Sequence, residues 1–438
     1  MTNRRNSGRA TTRGVALGAA VLAAVLVATA CSGPSGNARS ATVGASGDGV
    51  LKVGLLLDNS GAQGFLNDSE QAAAKLAVSQ INVSGGLNSK PVELLPATPG
   101  ADTTSQATTL AAAKADVVIG PTDSSNAAAA IRVLSKARIV LISPANSAPG
   151  LRNAASGGYY FRTQPAYTMQ GQVLAKLAAD IGPRIAVLHE SGSYGSQISR
   201  AIAEALKETG PEAGAGTHAG MGTVVADAQA NPGAEGDAVR EVQNARFDAV
   251  IVVARGGGQL LLAKLANAGI PGSKLVLSDG ATGDYGTGLA SAALKGAKGV
   301  LPGIFPTADF QKQLLAHTPG LKDMTFAAET YDAVMLAALA ATAADDDAGS
   351  SIAARLVSVS GGSGAGDNGG KTTSGTPCTG YPDCSELLAR KQSIDYDGIS
   401  GPINFDQNGD ITAANYVSYS YGSDNRPAMS GTEKATAP

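Results

Sequence analysis

A chain of 438 residues has room for two domains with separate cores, and with 4% aromatics and no Trp those cores fall to Ala, Val, Leu and Ile. The formal charge of −3 includes Arg4, Arg5, Arg9 and Arg13; without them, 29 basic residues face 36 acidic ones. A mildly acidic body without a Lys/Arg block gives no basis for a nucleic-acid partner.

The first 30 residues read as an export signal. Arg4 to Arg13 holds no acid, and the apolar run Val15 to Ala28 is 14 residues long, short of the ~20 that a spanning helix needs. The run closes in "VATAC", which resembles the lipobox of bacterial lipoproteins, with Ala28 where Leu is usual. Removal of 1–30 and lipidation of Cys31 are therefore expected, with an uncleaved anchor or a free Cys31 as the alternative. Residues 31–49 have the Gly/Ser composition of a flexible tether. Outside the reducing cytosol, Cys378 and Cys384 of "CTGYPDC" are expected to form a disulfide. A zinc site is the weaker alternative, because two cysteines without nearby histidines leave the metal short of ligands.

From Leu51 strands and helices alternate. "LKVGLLL" reads as a buried strand; "SEQAAAKLAVSQINVSGG" reads as a helix with Ala73, Leu76, Ala77 and Ile81 at helical spacing and Gly85-Gly86 as its stop. "KPVELLP" is a strand, "SQATTLAAAKA" a helix, "DVVIG" a strand, Ser125 to Ala137 a helix and "RIVLIS" a strand. The alternation restarts with helix "YTMQGQVLAKLAADIG", strand "RIAVLHE" and a helix from Tyr194 to Gly210. Strand "MGTVVA", helix "AEGDAVREVQNA", strand "FDAVIVVA", helix "GQLLLAKLANAG" and strand "KLVLS" continue it. The long apolar helix "FAAETYDAVMLAALAATAA" follows; Asp345-Asp346-Asp347 reads as a solvated acidic stretch, and Gly361 to Gly375 as a mobile tract. "YDGISGPINFDQNGDITAANYVSYSY" reads as strands around a turn at 407–409. Such alternation implies the α/β class, with parallel sheets covered on both faces and two lobes of similar size.

Open parallel sheets bind ligands beyond the carboxyl ends of their strands. In "DVVIGPTDSSNAAAA", Ser124 and Ser125 sit where a strand ends and a helix begins. Free N–H groups and the helix dipole suit that place to an anion; serines there also cap helices with no ligand present. Asn146 and Ser147 follow the next strand in "SPANSA". Other apparent motifs carry no chemistry. "GAGDNG" (364–369) matches a dinucleotide pattern inside a low-complexity tract, and "FDQNGD" lacks the Gly and closing Glu of a calcium loop. His189-Glu190 ends a strand, without a G-x-S-x-G elbow or an H-E-x-x-H motif in the chain. Neither a cofactor nor a metal is expected.

Four stretches occur in order: "INVSGGLNSKPVEL", "VVIGPTDSSNAAAAI…RIVLISPANSAPGL", "ETYDAVMLAALA" and "DYDGISGPINFDQNGD". Together they resemble the type I periplasmic binding proteins of the branched-chain amino-acid class, solute receptors of ABC importers, over about Leu51 to Tyr421. The resemblance implies two Rossmann-like lobes with parallel sheets, joined by three crossovers around a ligand cleft. Lobe 1 would take 50–165 plus 303–413, with a Gly-rich, disulfide-bearing insertion at about 345–395. Lobe 2 would take 166–302 plus 414–430, leaving 431–438 as a tail.

In such proteins the residues matching Ser125, beside Ser124, and Ser147 hold the ligand's carboxylate, and the carbonyl matching Asn146 meets its ammonium. Tyr194 matches an aromatic that closes over ligand, with a capping or core tyrosine as the alternative. Asp279 matches the acid that pairs the ammonium, with a turn aspartate as the alternative. Arg255 departs from the pattern, standing where the amino-acid binders carry an aromatic; it either pairs with Asp279 or receives an acidic ligand group. "LLPATPGADTT" also lacks the usual acid-rich sequence after the second strand.

The implied protein is an extracytoplasmic lipoprotein that captures a small carboxylate-bearing solute, an amino acid first of all, by lobe closure. Its partners would be a membrane ABC permease and, through the lipid, the bacterial membrane; it would work as a monomer. An exported sensor or envelope interaction protein on the same fold is the alternative. An exported hydrolase working through His189 is a third reading.

Overall fold

The computed structural model describes residues 37–58, 64–98, 102–207, 222–256, 258–362 and 375–437. The export signal, Cys31 and residues 363–374 of the Gly/Ser tract lie outside them.

The first sheet is built from β1 (Lys52–Leu55), β2 (Glu93–Leu94), β3 (Val117–Ile119), β4 (Val140–Ser143) and β5 (Tyr160–Arg162), all parallel, in the order β2-β1-β3-β4-β5. Helices α1 (Asn67–Val83), α2 (Thr103–Ala112) and α3 (Ser124–Lys136) connect its strands. Val117, Val118 and Ile119 are all buried, as a strand covered on both faces requires. The chain then crosses to the second lobe through residues 163–166. There α4 (Tyr167–Ala179), β6 (Arg184–Glu190), α5 (Ser193–Lys207), β7 (Thr223–Ala230), α6 (Glu235–Asn244), β8 (Ala249–Val253), α7 (Gly258–Asn267), β9 (Leu275–Leu277) and β10 (Lys298–Pro302) follow. A second crossing leads to α8 (Ala308–His317), α9 (Ala327–Ala344) and α10 (Gly349–Val359), and α9 packs on α1, α10, β3 and β4 of the first lobe.

Next come β11 (Thr376–Cys378), α11 (Tyr381–Ala389), β12 (Ile394–Gly398) and β13 (Gly401–Pro402), in a small separate sheet where Cys378 and Cys384 are joined in the expected disulfide. A third crossing delivers β14 (Ala413–Tyr421) and β15 (Pro427–Thr436) to the second sheet, whose order is β15-β14-β10-β9-β8-β6-β7. β14 runs antiparallel to both neighbours. β15 extends past 430, so residues read from the sequence as a tail pair with β14. β10 was not among the strands expected.

α9 explains two of the quoted stretches. Every residue from Ala327 to Ala341 is buried, the pattern of a helix that is core on all sides. Asp332, fully enclosed within it, accepts from Tyr396 Oη at 2.8 Å, Ile399 N at 3.0 Å, and Ser400 N and Oγ at 2.7 and 2.6 Å. The "YDA" of the helix and the "DYDGIS" of the later strand are thus one structural unit, tying the small sheet to the first lobe. In the same way Arg162 at the end of β5 grips Asp410 through Nε and Nη2 at 2.7 and 2.8 Å, fixing the turn at 407–409.

Three expectations are corrected. The tether read over 31–49 is docked from residue 37 onward: Ala38 N donates to Gly157 O at 2.8 Å, and the Arg39 guanidinium donates to Tyr160 O while lying 4.6 Å from the Phe161 ring centroid. Of the acidic stretch only Asp345 is exposed to solvent; Asp346 and Asp347 are 6% and 2% exposed. Their carboxylates receive the N–H groups of Ser46, Gly47, Asp48 and Gly49, so the supposed tether is held as a strap. Finally, the part of the 345–395 insertion that contains α10 is core: Ile352, Ala353 and Leu356 are fully buried.

Candidate functional site

A cleft of about 820 Å³ lies between the two sheets, lined by Ala145 and Ser147 from the loop after β4 and by Arg255, Asp279 and Gly280 after β8 and β9. The crossover after β10 (Ile304, Phe305) and the start of α9 (Phe326, Glu329) form another wall. Ser147, Arg255 and Asp279 come from loops beyond the carboxyl ends of parallel strands, where backbone groups are left open.

At the N-terminus of α3 the sequence offered two serines; the structure puts aspartates there. Asp123 is the N-cap, and its Oδ1 accepts from Ser125 N at 2.8 Å. Asp58, buried at the end of the β1 loop, accepts from Asp123 N at 2.7 Å, from Thr122 Oγ1 and from the Asn126 amide. The positive end of this helix is therefore met by the chain's own carboxylates. Ser125 is exposed, and Ser124 Oγ accepts from Ser147 N at 3.2 Å. Of these serines, the cleft wall carries Ser147. The cap expected of Ser124 or Ser125 is thus corrected to Asp123.

Asn146 is fully buried and braces two strand ends. Its amide nitrogen donates to Pro121 O at 2.9 Å and its Oδ1 accepts from Tyr160 Oη at 3.1 Å. The carbonyl expected to meet an ammonium lies 3.4 Å from Arg162 Nη1.

The second lobe brings Tyr194, Arg255 and Asp279 together. Tyr194 Oη donates to Asp279 Oδ1, lies 2.9 Å from Ser278 Oγ and accepts from Gly280 N at 3.1 Å. A Cβ on residue 280 would stand 2.9 Å from that hydroxyl and 2.5 Å from Arg255 Cγ, so only glycine lets the chain pass there. Burial, with Asp279 adding, pushes the Tyr194 phenol well above its usual range. The Arg255 guanidinium lies 4.0 Å over the Tyr194 ring, and its Nη2 donates to Tyr167 Oη at 2.8 Å. Burial works against its charge, but Tyr167, Asp279, Tyr194 and Asp123 outweigh that and hold its pKa above the ordinary value. Among the described residues Arg255 makes no ion pair, so the expected alternative of pairing with Asp279 is not what the structure adopts.

Tyr167 went unnoticed in the sequence. It opens α4 immediately after the first crossover, and its N–H donates to Ser147 O at 2.9 Å. With its ring edge-on to Tyr194 at 5.6 Å, it joins the Ser147 loop of one lobe to Arg255 of the other. The signal available was its place, right after "RTQPA" at a lobe boundary. Asp58 was equally legible as an acid closing a buried apolar run.

His189 is held by Glu190 O at 2.9 Å from Nδ1 and by Asp227 at 3.5 Å from Nε2. The neighbouring hydroxyl, Ser199, gives its proton to Asp227 at 2.6 Å, an order that does not present a nucleophile to the imidazole. Among the described residues no cluster of His, Cys, Asp or Glu suits a metal, and no helix is long and apolar enough to cross a membrane.

Two lobes of parallel sheet, three crossings and a cleft at the strands' carboxyl ends define the type I periplasmic-binding architecture. The chain belongs to the periplasmic binding protein family, whose model matches residues 50–413. A chemotactic signal transduction system substrate-binding protein, BasB, of Halobacterium salinarum is 26% identical over 83% of this chain and 84% of its own. The leucine-, isoleucine-, valine-, threonine- and alanine-binding protein of Pseudomonas aeruginosa is 28% identical over 37% of this chain. The chain spans less than half the length of that protein and of an uncharacterised Methanocaldococcus jannaschii protein, at 44% and 43%. In fold it is similar to the branched-chain amino acid transporter substrate-binding protein LivJ of Streptococcus pneumoniae, solved with isoleucine (TM-score 0.63, 20% identity, 89% of this chain and 100% of that one). It is also similar to a solute-binding protein of R. palustris solved with benzoate (TM-score 0.61, 20% identity, 89% and 98%).

Proposed function

We propose that this chain is the extracytoplasmic substrate-binding lipoprotein of an ABC importer, capturing a small carboxylate-bearing solute, an amino acid first of all, by closure of its lobes. The observation that carries this reading is Arg255: a guanidinium kept charged, without an ion pair among the described residues, in a cleft that also presents Ser147 and Asp279. Ser147 and Arg255 take the carboxylate, and Asp279 takes the ammonium. Capture then follows from closure, with ligand contacts on both lobes favouring the closed form that a permease recognises. Lipidation at Cys31 holds the protein to the membrane; Cys31→Ser should release it and abolish incorporation of labelled palmitate.

Calorimetry with leucine, 4-methylpentanoate and benzoate tests the site. Arg255→Gln removes a charged hydrogen bond, about 1.5–3 kcal/mol, and should weaken every carboxylate roughly tenfold or more. Asp279→Asn should weaken leucine alone. Equal wild-type affinity for leucine and 4-methylpentanoate removes Asp279 from its role and points to an acid without an amine, as the benzoate complex of the similar R. palustris protein illustrates. A second reading, an exported sensor with the same cleft, is favoured by the length of the match to the chemotactic protein. Loss of solute uptake on deletion of the chain separates import from sensing.

A further inference from the structure

The far wall of the cleft carries an acid that nothing above uses. Glu329 lies in the first turn of α9, lines the cleft, and is 6% exposed. Its carboxyl occupies the space over Gly303 in the second crossover, where a Cβ would stand 2.6 Å from Oε1. Gly303 has φ +91°, so both the conformation and the vacancy that admits the carboxyl require glycine. Among the described residues Glu329 has no ion-pair partner. A buried carboxyl facing an open cleft without a counter-ion is unusual, because burial of an unpaired acid is costly.

The charged groups around it are few. Asp332, one turn along α9, spends its carboxylate on Tyr396, Ile399 and Ser400 and adds negative potential. Lys322, from the segment before α9, lines the same cleft but is exposed. The second lobe contributes Arg255 and Asp279, and Arg255 lies against Tyr194 and Tyr167. The crossover beneath Glu329, at Ile304, Phe305 and Pro306, brings only apolar side chains to the cleft.

We propose that Glu329 is a specificity-determining residue of the cleft, the acceptor for a second, positively charged group on the solute, so that the preferred ligands are amino acids with a basic side chain. This rests on the cleft being the solute site. Burial, with Asp332 adding, pushes the Glu329 carboxyl up to about 8, so without a cation beside it the group is mostly neutral at pH 7. An ammonium or guanidinium placed against it favours the carboxylate, and the proton leaves to solvent. Asp332 lends its potential to the cation. A neutral side chain gains nothing from either acid.

The probes are L-lysine and L-norleucine, which differ by the terminal ammonium, with L-arginine as a second cation. In calorimetry at pH 7 lysine should bind at least tenfold tighter than norleucine. Repeated in two buffers of different ionisation enthalpy, it should release about one proton per lysine bound and none per norleucine. Lysine affinity should rise about tenfold per pH unit from 6 to 8 and level off above. Glu329→Gln, isosteric with the neutral acid, should abolish the proton release and the lysine advantage while leaving norleucine affinity and thermal stability at pH 6 unchanged. Norleucine binding as well as lysine and arginine, without proton release, overturns the role of Glu329 and leaves the cleft as the solute site. Failure of all three probes and of leucine, 4-methylpentanoate and benzoate overturns both.

Discussion

Replacing Tyr194 by Phe removes one oxygen from the centre of the second-lobe cluster and leaves the ring in place. The ring keeps its position under Arg255, 4.0 Å away, and its edge contact with Tyr167. What goes is the hydrogen bond to Asp279, the contact with Ser278 and the acceptor for Gly280 N. A hydrogen bond to a charged partner is worth about 1.5–3 kcal/mol, and an orphaned backbone N–H about 1 kcal/mol or more. Asp279 is half-buried, so water recovers part of the first. The expected loss is about 2–3 kcal/mol, which for a chain of this size lowers Tm by roughly 2–4 °C. Scanning calorimetry at pH 7 measures it. Tyr194→Ala should cost more, because the cation–π contact goes as well. A cycle with Asp279→Asn should show coupling of about 1 kcal/mol or more between the two sites. A Tm for Tyr194→Phe within a degree of wild type would show that the hydroxyl does not hold Asp279, and the geometry assigned to the ammonium side of the cleft would go with it.

The docked strap predicts slow amide exchange at Ser46 to Gly49, and Asp347→Asn should speed exchange at Asp48 and Gly49 about tenfold, read by hydrogen–deuterium exchange with mass spectrometry; unchanged rates refute the docking. Burial opposes the Asp346 charge, but hydrogen bonds from Ser351, Gly47 and Ser46 outweigh it and hold its carboxyl below the usual range. Its contribution is therefore present at neutral pH and lost as acid protonates the folded form, so protection at Ser46 and Gly47 should fade at low pH. Glu70 gives the opposite slope. It is buried with neither carboxyl oxygen hydrogen-bonded among the described residues, and burial, with Asp58 adding, pushes it well above the usual range. The folded chain keeps a proton that the unfolded chain sheds near pH 4.5, so this term costs more stability as pH rises from there. Glu70→Gln should raise stability in urea at pH 7 and flatten that decline; an unchanged pH profile refutes it.

Periodicity made the alternating architecture legible, because buried parallel strands such as "DVVIG" are short, wholly apolar and bounded by turn residues. It missed β10, "KGVLP", where Lys and Gly dilute the apolar run and one of the strand's two partners, β14, comes from a distant part of the chain. Composition misled twice. "SGPSGNARSATVGASGDG" reads as a tether, yet Arg39 and four backbone N–H groups find fixed partners roughly 120 and 300 residues away. "DDD" reads as solvated for the same reason: a local window does not contain the strap that covers it. At the cleft, Ser147, Arg255 and Asp279 were placed by following strand ends, whereas the α3 cap went to Asp123 because capping propensity does not separate Asp from Ser. Tyr167 bridges the lobes and Glu329 lies over Gly303 of the second crossover, and no local pattern marks either contact.

The central claim is that a small carboxylate-bearing solute occupies the cleft against Ser147, Arg255 and Asp279. Native mass spectrometry of the protein purified gently from exporting cells tests it most directly, with wild type and Arg255→Gln run side by side. The wild type should carry one small molecule that leaves on denaturation and that contains a carboxylate, and the variant should carry little or none. Equal occupancy in both, or a retained molecule without a carboxylate, would contradict it.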